Sequence, residues 1–109
     1  MTHYLTQGDT GAQIKVALSR KGSSTAVDLN TGVAVLKVRA EKAATNAFTV
    51  TGTKDLTNDN EAIFVLGDNM TGITPGRYTG EIEVTFTIDS VESVETVYEV
   101  VSLYIREQY

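Results

Sequence analysis

Apolar and polar residues alternate along much of this chain with a period of two. From Tyr78 to Ile88, Tyr78, Gly80, Ile82, Val84, Phe86 and Ile88 alternate with Thr79, Glu81, Glu83, Thr85 and Thr87. That pattern predicts a long antiparallel strand with one face on a core and one toward water. Asp89-Ser90-Val91-Glu92-Ser93 reads as a hairpin loop, and a return strand is expected from about Val94 to Ile105. The return strand is apolar on both sides. Val97, Val101, Leu103 and Ile105 share one face, and Tyr98, Val100 and Tyr104 the other. Such a strand is central or covered, or carries a bulge near Val100-Val101.

Upstream, Ile14, Val16 and Leu18 alternate with Lys15, Ala17 and Ser19, and Arg20 to Ser24 reads as the turn that follows. Val33 to Ala40 predicts another strand, Phe48 and Val50 a shorter one, and Ala62 to Leu66 a compact apolar one. Thr2 to Gln7 suits a first edge strand. Glu41 to Asn46 is the best helix candidate, and Gly67 to Met70 suits one helical turn capped by Asp68. About seven strands with turns every eight to twelve residues predict an all-β, immunoglobulin-like antiparallel sandwich.

Composition agrees. Thr, Val and Ile make up 35 of 109 residues, and β-branched side chains fit pleated sheets better than helices. No repeat, linker or low-complexity tract divides the chain, so residues 1–109 read as one domain.

Pro75-Gly76 fits a type II turn, because proline presets the first central φ and glycine supplies a positive second one. Tyr78 then has the spacing of a tyrosine corner, a late-strand Tyr bonded back to the backbone just upstream.

At this point the chain resembles the immunoglobulin-like N-terminal domain of tailed-phage baseplate upper proteins. Three stretches carry the likeness: Gly8-Asp9-Thr10; Val27-Asp28-Leu29 with Gly32 beyond it; and Pro75-Gly76-Arg77-Tyr78-Thr79-Gly80-Glu81-Ile82-Glu83-Val84. The resemblance implies a virion building block, made in the host cytoplasm and docked in multiple copies on other virion proteins. The family's fibre-holding region would begin where this sequence ends, at Tyr109. A free-standing copy would sit in the tail, at the neck, or on the capsid as a decoration protein.

Charge and residue inventory narrow the chemistry. Fourteen acids against nine bases give −5, which disfavours nucleic acid. No signal peptide and no membrane-length apolar run is visible. With no cysteine and one histidine, thiolate metal sites and His-based relays lack their residues. No catalytic, cofactor-binding or metal-binding residue is therefore expected, and the protein reads as a non-enzyme. Glu81 and Glu83 share a strand face, but that face is the solvated one. Asp55, Asn58, Asp59, Asn60 and Glu61 form an oxygen-rich loop, yet lack the spacing of an EF-hand and equally suit a turn. His3, beside Tyr4, reads as a surface or partly packed histidine.

The candidate contact residues are aromatic. Tyrosine is enriched at interfaces because it buries a large area at small entropic cost. Tyr98, Val100 and Tyr104, or the alternate set on that strand, are expected to meet a neighbouring subunit. A carbohydrate or host-receptor site is the competing possibility, weakened by the absence of tryptophan.

Overall fold

The computed structural model describes residues 2–18, 29–41, 45, 47–88 and 90–107, with side-chain detail for all of these except 88, 93 and 95–100. Among these residues eight strands follow one another: β1 (Thr2–Thr6), β2 (Gln13–Ala17), β3 (Gly32–Ala40), β4 (Phe48–Thr51), β5 (Thr53–Lys54), β6 (Glu61–Val65), β7 (Gly76–Ile88) and β8 (Val91–Arg106). They form two sheets, ordered β1-β8-β7-β3-β4 and β2-β6-β5. This is an all-β sandwich with the immunoglobulin partition. β2, β6 and β5 stand as B, E and D, while β3, β7 and β8 stand as C, F and G, extended by β4. The count is eight rather than about seven. The two-residue β5 is too short to show a period in sequence.

The sheets close on one apolar core. Every second residue of β3 (Ala34, Leu36, Val38) and β7 (Tyr78, Gly80, Ile82, Val84, Phe86) is buried, as are Val101, Leu103 and Ile105 of β8. Ile14, Leu18, Ala62, Phe64, Leu66 and Met70 complete the core from the other side. Burying each large side chain contributes roughly 1.5–3 kcal/mol.

Several details depart from expectation. β7 and β8 pair through Ile88 and Val91, so the hairpin loop is two residues long and the return strand starts at Val91. Ser90 accordingly holds φ +65°, because tight two-residue hairpin turns require a left-handed conformation. The register breaks where Glu81 faces Val100 but Ile82 faces Val97, leaving Tyr98 and Glu99 without opposite numbers. The irregularity thus precedes Val100-Val101. An insertion of two preserves the period, so the two sides of the irregularity keep the same alternation.

Gly67–Met70 forms a 3-10 turn, but Asp68 does not cap it. Leu66 occupies the cap position, and the backbone carbonyl of Asp68 accepts the Thr71 N–H at the far end. Gly76 has φ +145°, well away from the roughly +80° of a type II turn, and already pairs with Ile105 as the first residue of β7. The Arg20–Ser24 turn, Val27-Asp28 and most of the Glu41–Asn46 helix candidate lie outside the described residues. No helix among the described residues is long and apolar enough to cross a membrane.

Candidate functional site

The five-stranded sheet turns one face to the core and one to solvent, and its solvent face carries the candidate site. β1 runs parallel to β8, placing Tyr4 directly beside Tyr104. β7 runs antiparallel on the other side, placing Arg77 opposite Tyr104. The three side chains make a cross-strand row. The tyrosine rings lie 6.0 Å apart, tilted by 54°, and the Arg77 guanidinium carbon lies 5.6 Å from the Tyr104 ring centre. Tilted aromatic pairs and Arg–aromatic pairs each gain about 0.5–1 kcal/mol at such separations. Tyr104 is half-buried by these neighbours, whereas Tyr4 remains 70% exposed.

Tyr104 thus lies on the outer set of β8 residues, opposite in direction to Val101, Leu103 and Ile105. The side chains of its predicted companions, Tyr98 and Val100, lie outside the described detail. Tyr104's described neighbours are instead Tyr4 and Arg77. Periodicity could not show this, because the partners come from strands 100 and 27 residues away and join only through register.

Charge reinforces the row. Lys15 donates to Asp55 and Glu61 at 3.2 and 3.1 Å, Lys37 to Glu83 at 2.7 Å and Lys54 to Asp59 at 3.0 Å. The remaining described bases, Arg39, Arg77 and Arg106, are exposed and make no ion pair among the described residues. All three sit at the same end of the sheet. Arg39 faces Thr79, two residues along β7 from Arg77, and Arg106 ends β8 beside Thr6. An open groove of about 580 Å³ continues the patch, between Thr6, Pro75, Tyr104, Arg106 and Glu107. Pro75 and Gly76 therefore shape its wall.

Tyr78 anchors this end of β7 from beneath. Its ring is in the core, and its hydroxyl donates to the Thr74 carbonyl at 2.5 Å, four residues upstream, as in a tyrosine corner. Burial raises the pKa of this phenol above its usual 10.0. His3 stands opposite Leu103, half-buried, and its pKa is lowered first by desolvation and then by the nearby N-terminal charge.

The oxygen-rich loop is organised by lysines and backbone. The Asp55 carboxylate accepts the N–H groups of Thr57 and Asn58 at 3.0 and 3.1 Å as well as Lys15. These bonds, the backbone ones foremost, hold its pKa below the usual 3.8. The Lys54 ammonium bridges the Asp55 carbonyl and the Asp59 carboxylate. Two ammonium groups therefore neutralise the loop's carboxylates. Among the described residues no group of three or more acids or histidines is placed to hold a metal. Glu83 is tied to Lys37 on the solvated face, and Glu81 beside it is exposed.

The patch offers two aromatic faces, three cationic forks and a shallow groove. Such a surface can hold a partner carrying carboxylates and apolar side chains. No protein-family model matches the chain, and no curated protein matches it.

Proposed function

We propose that this chain is a non-enzymatic structural component of a tailed-phage virion, a tail or baseplate adaptor that docks on other virion subunits in multiple copies. The observation that carries the docking is the exposed Tyr4–Tyr104–Arg77 row, flanked by Arg39 and Arg106. The resemblance carried by Pro75 to Val84 supports the virion setting. A rigid sheet presenting aromatic and arginine side chains has the composition of an interface hot spot. Repetition around a symmetric particle lets modest contacts add up through avidity. Placement on the capsid, as a decoration protein, would use the same surface.

The test is incorporation. Tyr104→Ser and Arg77→Glu chains, shown to be folded by circular dichroism, are supplied to phage lacking the wild-type chain, and purified particles are assayed for them. Loss of both from otherwise intact particles supports the proposal. Incorporation at the wild-type level overturns it. The groove beside Tyr104 favours one second reading, a site for a carbohydrate or host receptor, since a ring face next to polar groups suits a sugar. Binding on a glycan array that Tyr104→Ser abolishes would decide for it.

A further inference from the structure

We propose that the partner of this basic, aromatic patch is the β7–β8 hairpin tip of a second copy of the same chain. The assignment rests on reading the patch as a docking surface, and adds who docks there. Three observations lead to it. First, the charge along the hairpin is polarised. From Tyr78 to Ile105 the sequence has six acids, Glu81, Glu83, Asp89, Glu92, Glu95 and Glu99, and no lysine or arginine. Arg77 and Arg106 stand just outside that stretch, at the foot of the hairpin. The molecule is 48 Å long, and the eleven residue steps from Arg77 to Ile88 span about 36 Å of strand. The foot also carries Glu41 and Glu107, so its three arginines leave a positive excess there, while the hairpin beyond it is acidic.

Second, the β7–β8 pairing runs past the end of β3. The last residue of β7 paired with β3 is Phe86, opposite Gly32, whereas β7 and β8 continue to Ile88 and Val91. Third, the tip carries exposed apolar side chains. Val91 is 66% exposed on one face of the hairpin and Val94 60% exposed on the other, where it shares a face with Glu92 and a row with Thr85 and the exposed Val33. Glu92, between them, is exposed and makes no ion pair among the described residues. Valine methyls against tyrosine rings, with a carboxylate against arginine forks, make the two ends complementary.

Charge then excludes one symmetry. A two-fold dimer through the tips would place acid against acid, a costly arrangement for a chain of net charge −5. Head-to-tail contact places the acidic tip on the arginines instead. Made one way, that contact closes into a ring or runs on as a row; made reciprocally by two antiparallel copies, it forms a two-fold dimer.

The experiment is sedimentation velocity on the full chain over a concentration series. It is run at low salt, where the Debye length is about 30 Å, and in 1 M salt, where it is about 3 Å. Wild type should associate at low salt and dissociate at high salt. Arg77→Glu and Glu92→Arg should each weaken association at least about tenfold, because each sets like charges together. An equimolar mixture of the two variants should associate again, since each supplies the other's missing charge. A wild-type chain that stays monomeric throughout, or a mixture that fails to recover, overturns the proposal. So does a monomer that binds an anionic glycan through Arg77. A monomeric chain whose Arg77→Glu variant is still excluded from particles loses only the self-partner and keeps the docking reading. Normal packaging of that variant would instead remove the docking reading itself.

Discussion

Replacing Tyr78 by phenylalanine removes one oxygen and leaves the buried ring in place. In the wild type that oxygen donates to the Thr74 carbonyl at 2.5 Å. Thr74 is exposed, so water can reach its carbonyl once the hydroxyl is gone. No acceptor is stranded, and the loss is the net worth of one hydrogen bond, about 1 kcal/mol. For 109 residues the unfolding entropy is about 0.23 kcal/mol per degree, so the melting temperature should fall by about 4 °C. Tyr78→Ala removes the ring as well and should cost about 3–5 kcal/mol. The pH dependence gives an independent check. The phenol pKa is raised in the folded state, so the folded form holds its proton more tightly than the unfolded one. That contribution is present below pH 10 and is lost as pH rises through the raised pKa. Tyr78→Phe should lack this alkaline decline, and the gap between the two proteins should narrow above pH 10. Thermal and urea unfolding, followed by circular dichroism from pH 7 to 11, measures both effects. A Tyr78→Phe protein as stable as wild type at pH 7 would refute the anchoring role of the hydroxyl.

Four further outcomes are expected. A Cβ added at Gly52 would lie 2.6 Å from a ring carbon of Phe64, which is fully buried and cannot swing away. Gly52→Ala should therefore cost about 1–3 kcal/mol in urea unfolding, and an unchanged midpoint would mean that the ring yields. Ser90 holds φ +65° in the hairpin turn, and Ser90→Gly should raise stability by about 0.5–1 kcal/mol; a lowered melting temperature would show that the strain is absent. Asp55 has a depressed pKa, so its stabilisation is present above the unfolded pKa near 3.8 and lost as pH falls through the folded value. Asp55→Ala should be less stable than wild type at pH 7 and converge with it in acid; parallel curves down to pH 2 would contradict this. With Lys15 and Lys54 among the loop acids, melts in excess calcium and in EDTA should coincide, and a calcium-dependent rise would overturn the lysine-held loop.

The sequence alone determined the class and most of the strands. A period of two over Tyr78 to Ile88, and the β-branched composition behind it, can bury an apolar face only as a sheet. The inward positions of β3 and β7 follow from local alternation, which needs no partner to be legible. Tyr78 was legible for the same reason, because the corner is closed within four residues. The hairpin length was not. Ser90 has no turn signature as strong as glycine, and its positive φ is imposed by the two strands it joins. The two-residue irregularity at Tyr98-Glu99 was legible only as one reading of a strand apolar on both sides, a bulge near Val100-Val101, since an even insertion leaves the alternation unbroken. The site belongs almost wholly to tertiary structure. Tyr104 was visible as an outward aromatic, but Tyr4 and the three arginines look like scattered surface residues in one dimension. What gathers them is the parallel pairing of β1 with β8 and the register of β7 and β3, set by burial of the opposite face. Local alternation decides which way a side chain points. Only the packing of distant strands decides what it points beside.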